Sequence, residues 1–295
     1  MDKMSQYMLV AALIALGLAS VFYIWDLFGR RQVVTARLAT SAGPALESGT
    51  AAAASGGGAA GRYGTLLAAN ALAFLTGWMI FRTLSTGHGP FSNMHEFAAA
   101  FSWGIVAAYL SMEVRTRTRA LGAIVVPTAL AVLWYASTLP ADAAPLVPAL
   151  QNNLLLTAHV AVSIVAYGTF AVSFGAAVLY LLQERVPAGI LPDAGLLDEI
   201  GYRSVTIGFP FMALVIILGA LWANVAWGRY WGWDPKETAS LVTWLIYGAY
   251  LHARTLRGWK GDRSAALLVV GFGAVLFTYF GNLFFGGLHS YAGLR

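Results

Sequence analysis

Residues 227–237 read WGRYWGWDPKE, and the fold follows from how this stretch sits between its neighbours. Trp227, Trp231 and Trp233 fall within seven residues with glycines between them, too irregular for a strand and too rich in glycine for a stable helix. The segment therefore reads as an aromatic platform on a loop. Asp234, Pro235, Lys236 and Glu237 then supply the N-cap, N1, N2 and N3 positions of a new helix, the two carboxylates satisfying free backbone N–H groups and proline being tolerated at N1. The runs on either side, 204–228 and 238–253, carry no Asp, Glu, Lys or Arg. That places the platform at a membrane surface between two spanning helices.

The composition agrees. A chain of 295 residues that is 59% hydrophobic and 11% charged, with mean hydropathy +0.68, lies outside the range of soluble globular domains and reads as an all-α polytopic membrane protein. The net charge of +5 does not mark a nucleic-acid partner, because the basic residues lie in short clusters between apolar runs, where they act as topology signals. The partner implied is the lipid bilayer. With no cysteine in the chain, any thiol chemistry comes from another molecule. The first apolar run lacks a short h-region with a small-residue cleavage site and reads as a retained helix.

Runs long enough to span, at roughly 20 residues each, occur near 4–25, 63–81, 93–112, 120–139, 154–183, 204–228, 234–253 and 264–288, giving an expected bundle of eight helices. Three parts follow: a first transmembrane helix over 1–28, a flexible Ala/Gly-rich linker over 29–62 that includes SGTAAAASGGGAAG at 48–61, and a seven-helix core over 63–295. Summed over alternate loops, 13 of the 18 Lys and Arg residues fall on one side. The positive-inside rule makes that side cytoplasmic and sets both termini and the tryptophan loop outside. The outer loop ending in NMHE carries a second capping signal, Asn93 and Glu96, while 184–203 reads as a cytoplasmic connection with a short interfacial helix around Asp198, Glu199 and Arg203. The proline-rich PADAAPLVP segment at 140–148 is expected to lie against the outer surface.

Depth separates the five histidines. His159 lies about five residues, roughly 8 Å, into the fifth span, and His289 follows an eighth crossing of about 37 Å, so both flank the tryptophan loop. His252 lies 18 residues after Asp234, roughly 27 Å from the loop, and belongs to a different site. Two neutral imidazoles on different helices, across an apolar gap lined by indoles, are suited to the two axial positions of a heme iron. Zinc would want three or four ligands. His95, inside a capping sequence, reads as a solvent-accessible polar residue and His88, between glycines, as a loop residue near the site. Trp25, Trp78, Trp103, Trp134 and Trp259 read as interfacial belt residues, and Gly168, Gly175, Gly219 and Gly248 as small-residue helix packing. Arg229 and Lys236 are candidates for pairing with carboxylates of a bound ligand, or for interfacial anchoring.

WGRYWGWDPKE followed by TWLIYGAYLHAR resembles the WWD signature of heme-handling proteins of cytochrome c biogenesis. PFSNMHEF, LLLTAHV and FFGGLHSYAG are similar to the CcsA (ResC) branch of that superfamily, which usually has tyrosine where this chain has His95. The resemblance implies that His159 and His289 hold a non-covalent b-type heme against the WWD segment, to which Trp227, Trp231, Trp233 and Asp234 belong. It further implies that His252 is a ligand at an inner-leaflet heme site completed by a CcsB (ResB) subunit. The function implied is heme transport across the cell membrane and presentation to the CXXCH segment of apocytochrome c, as a holocytochrome c synthase (cytochrome c heme lyase) subunit, with a thioredoxin-like thiol reductase as a further partner. A CcmC-like subunit that passes heme to a chaperone, and a cytochrome b-type electron-transfer subunit, remain the alternatives.

Overall fold

A computed structural model describes residues 2–40, 58–142, 153–281 and 284–289. Among these residues the chain forms eight long α-helices and no strand: α1 (Asp2–Thr40), α2 (Ala59–Thr86), α3 (Met94–Thr116), α4 (Gly122–Thr138), α5 (Asn153–Leu181), α6 (Ala194–Trp227), α7 (Pro235–Arg257) and α8 (Asp262–Phe280). Seven of them are long and apolar enough to cross a membrane. The exception is α7, which carries Lys236 and Glu237 at one end and His252, Arg254 and Arg257 at the other. It still runs the height of the bundle. Its start is joined to the segment after α8 by a hydrogen bond from the Leu288 N–H to Asp234, while Gly261, just beyond its end, meets Tyr180 near the end of α5. The multi-pass membrane reading thus holds.

Helix α5 is the central element, packed against α3, α4, α6 and α8, while α1 pairs with α2 and α7 with α8. Small residues let α3 and α5 approach closely: a Cβ on Gly168 would collide with the Gly104 carbonyl oxygen. Without water in the bilayer core, buried polar groups must be satisfied within the protein, and two clusters do this. Near the end where most Lys and Arg collect, Glu113 accepts hydrogen bonds from Tyr23 (2.7 Å), Tyr109 (2.6 Å), Thr65 (2.5 Å) and Arg119 (3.2 Å), tying α1, α2 and α3 together. Near the opposite end, Arg82 pairs with Glu96 at 2.7 Å, both side chains almost fully buried.

Four expectations change in detail. Helix α1 continues to Thr40, because residues 29–40 contain no helix breaker beyond Gly29; the Ala/Gly tract itself lies outside the described residues except for its last turn, which opens α2. The 184–203 connection contains no separate interfacial helix. Asp193 caps a single helix by accepting from the Leu196 N–H, and Asp198, Glu199 and Arg203 belong to the first turns of α6, with Asp198 paired to Arg254 of α7 at 2.7 Å. At α3, Asn93 caps as expected, yet Glu96 reaches back to the backbone N–H and hydroxyl of Ser92 rather than to Asn93, since its other oxygen is held by Arg82. Last, α8 stops at Phe280, so His289 lies beyond the helix rather than on it. Most of 140–148 lies outside the described residues.

Because Glu96 stays anchored by Ser92 and Arg82, Asn93→Ala should remove only the cap bond. The expected cost is about 1 kcal/mol of stability, read as a small fall in the thermal unfolding midpoint in detergent.

Candidate functional site

The loop from Gly228 to Trp233 is held from below by the helix it precedes. Asp234 caps α7 by accepting from the Lys236 N–H at 2.9 Å, and Glu237 reaches back to the N–H groups of Gly232 (2.8 Å) and Asp234 (3.1 Å). The predicted capping box is therefore present. Asp234 also does something the sequence pattern did not announce. Its Oδ1 lies 2.8 Å from Nδ1 of His289 and its Oδ2 accepts from the Leu288 N–H at 2.6 Å, so one carboxylate fastens the C-terminal segment onto the start of α7. A Cβ at Gly287 would collide with that carboxylate, which explains a glycine there.

Charge follows from this geometry. Burial acts to raise the Asp234 pKa, but the His289 ring and the Lys236 and Leu288 amides outweigh it and hold the carboxyl at about 2. Burial lowers the His289 pKa, with Asp234 partly opposing the shift, so the imidazole is kept neutral and available as a ligand.

His159 and His289 line one cavity of about 1070 Å³ of empty space, counting the part open to solvent, at the upper end of cofactor pocket sizes (roughly 300–1,000 Å³). Its walls come from α3 (Phe97, Phe101), α5, α6, the tryptophan loop, α7 and α8. Trp222 of α6 lies beside both imidazoles, parallel to His159 at 6.5 Å between ring centroids and 5.8 Å from His289. Nδ1 of His159 is buried and, among the described residues, has no hydrogen-bond partner. A buried ring nitrogen without a partner is costly in a folded protein unless something else satisfies it. Gly219 makes the room: a Cβ there would fall 2.9 Å from Cε1 of His159, so this glycine accommodates an imidazole instead of serving plain helix packing.

The three tryptophans of 227–233 divide their roles, Trp227 being the last residue of α6 rather than part of the loop. Trp231 lines the cavity, Trp227 packs edge-on against His289 at 4.9 Å, and Trp233 turns outward, 70% exposed, in a left-handed backbone conformation (φ 55°). Lys236 reaches into the wall beside the Phe97 ring (5.8 Å), whereas Arg229 is exposed and folds over Gly232. His252 is exposed near the far end of α7, remote from this cavity as its depth predicted.

The model of the cytochrome C assembly protein family matches residues 91–289, which covers every element of this cavity. The chain is 38% identical to the cytochrome c biogenesis protein CcsA of Guillardia theta, over 79% of this chain and 86% of that one. It is 38% identical to the CcsA of Synechococcus elongatus (71% and 81% covered) and 35% identical to that of Gloeobacter violaceus (78% and 86%). The chain belongs to the CcsA family. Its role is therefore in cytochrome c assembly, as the resemblance of its motifs implied.

The roles of three residues at this CcsA-family cavity escaped the sequence reading. Trp222 and Gly219 lie one turn apart on α6, a spacing that puts them on one face, but nothing in the sequence said that His159 faces that side. Asp234 was read as a cap and as part of the WWD segment, not as the carboxylate that fastens His289. Two belt or surface assignments also fail. Trp78 is buried at 1% exposure against His95, and His95 is itself buried, its Nδ1 2.8 Å from the Ala136 carbonyl, which makes it a tie between α3 and α4. His88 bonds within its own loop, to the Gly89 carbonyl. Trp25 and Trp134 are exposed on the bundle exterior, as belt residues should be.

Proposed function

We propose that this protein binds heme in the outer cavity, with His159 and His289 as the axial ligands, and presents it for attachment to apocytochrome c. The observation that carries this reading is the pair of imidazoles in one aromatic cavity, one with a buried, unpartnered nitrogen and the other oriented by a carboxylate. Bound heme would supply vinyl groups to the two thiols of a CXXCH segment, in keeping with a chain that has no cysteine of its own. The chain's own residues position and exclude. Asp234 holds the His289 ring in orientation, Trp222 and Trp231 cover the cavity walls, and Lys236 offers a cation to ligand carboxylates. Among the described residues, no group of three or more His, Asp or Glu is arranged to hold a metal ion directly, which favours a macrocycle over a bare cation.

On this reading the tryptophan-loop end faces outward from the cell membrane, and His252, exposed at the basic end, is half of a second heme site that a CcsB subunit completes. The test is heme titration of the purified protein with and without CcsB. His159→Ala and His289→Ala should each turn a bis-imidazole absorption spectrum into that of a single-ligand heme. His252→Ala should leave the outer-site spectrum intact while removing the component that depends on CcsB. Unchanged spectra in both outer-site variants would refute the assignment.

A further inference from the structure

A second cavity, of about 790 Å³ of empty space, lies on the other side of α5, as a groove between α3 and α6. On α3 its wall includes Gly104, packed against Ile164 of α5, and Ala107, Ala108 and Ser111, whose small side chains leave a recess, while α6 contributes Ser204 and Ile207. The groove is polar at one end only. Trp103 stands at one limit and Arg115 at the other, twelve residues or about 18 Å apart along α3, close to the half-thickness of a bilayer's hydrocarbon core (roughly 15 Å). Arg115 is exposed, and among the described residues it has no carboxylate within ion-pair distance; Arg119 and Arg203 near the same end are each paired.

The hydroxyls that line the groove differ in one respect. Ser111 donates to the Ala107 carbonyl and Thr169 to those of Val165 and Ala166. Ser204, 1% exposed and next to the interfacial Arg203, has an Oγ with no partner among the described residues. Ser204 is thus the groove hydroxyl still free to donate.

We propose that this groove binds an anionic phospholipid of the leaflet at the basic end of the bundle. One acyl chain lies in the Ala107 and Ala108 recess, the phosphate pairs with Arg115, and an ester carbonyl accepts a hydrogen bond from Ser204. An amphiphile with one charged end matches a groove with one basic end.

The full-length protein, reconstituted in nanodiscs of phosphatidylcholine mixed with phosphatidylglycerol, should release on native mass spectrometry with phosphatidylglycerol enriched among its bound lipids. Arg115→Gln should lower that enrichment about fivefold, the contribution of one basic residue at an anionic surface. Ala107→Leu fills the recess and should abolish retention. Equal enrichment in the wild type and Arg115→Gln, undiminished retention in Ala107→Leu, or recovery of heme or a partner's helix from the groove would each overturn the proposal. Heme titration of the same samples separates the two sites, which share only Ile164 among their lining residues. Lipid loss with normal heme binding supports the groove. If Ala107→Leu loses both and is misfolded, the exposed Arg115→Gln decides.

Discussion

Asp234→Ala is expected to detach the C-terminal segment from α7 and, with it, to free the His289 ring. The carboxylate makes three contacts that alanine cannot replace: the cap on the Lys236 N–H, the bond from the Leu288 N–H and the bond to His289. A lost cap costs about 1 kcal/mol, and hydrogen bonds to a charged group are worth about 1.5–3 kcal/mol each. Together they imply a local loss of roughly 4 kcal/mol or more at this junction. Hydrogen exchange should rise at 284–289 and in the first turn of α7 while α3 to α5 stay protected. Loss of a group that orients a metal-bound histidine typically weakens binding 10–100-fold, and the heme titration should shift by that factor. Asp234→Asn keeps a capping oxygen and should fall between wild type and alanine. Since the folded carboxyl titrates at about 2 rather than near 3.8, its stabilising contribution is present above the ordinary carboxylate range and fades as pH falls toward 2. Exchange at 284–289 that did not change in Asp234→Ala would show that other contacts hold the segment.

Gly219→Val is expected to leave the bundle folded and spoil the site. The atom that a new Cβ meets is Cε1 of His159, at 2.9 Å, which is the far end of a side chain and can swing away. The overpacking should therefore cost no more than about 1–3 kcal/mol, because the collision is relieved by moving the ring. A moved ring no longer faces the cavity opposite His289, so the bis-imidazole spectrum should be lost as in His159→Ala. Gly104→Ala provides the contrast. Its Cβ would lie 2.9 Å from the backbone oxygen of Ile164, which cannot swing, so the damage should appear in thermal unfolding. Gly17→Ala, with open space around it, should do neither. A Gly219→Val protein with the wild-type heme spectrum would show that His159 is not confined by α6.

What the chain declares about itself is whatever depends on local order along it. The apolar runs give the spans, since each must satisfy its own backbone in lipid. The DPKE box fixes where α7 begins, because N-cap chemistry is complete within four residues. The count of residues along helices sets the depths of His159 and His252, because helical rise is constant. The end of α8 was misread because a hydrophobic run does not say where its helix stops, and the bond that holds the segment beyond it runs from Leu288 to a residue 54 positions away. Which way a side chain faces was equally hidden. Trp78 and His95 were read as surface residues, yet the packing of α2, α3 and α4 buries them. Only the tertiary structure decided that Trp222 packs beside both imidazoles, that Gly219 makes room for one of them and that Asp234 holds the other. Those contacts join α5, α6, α7 and the C-terminal segment, and their geometry depends on how whole helices rotate and tilt against one another, a quantity that no short window of sequence encodes.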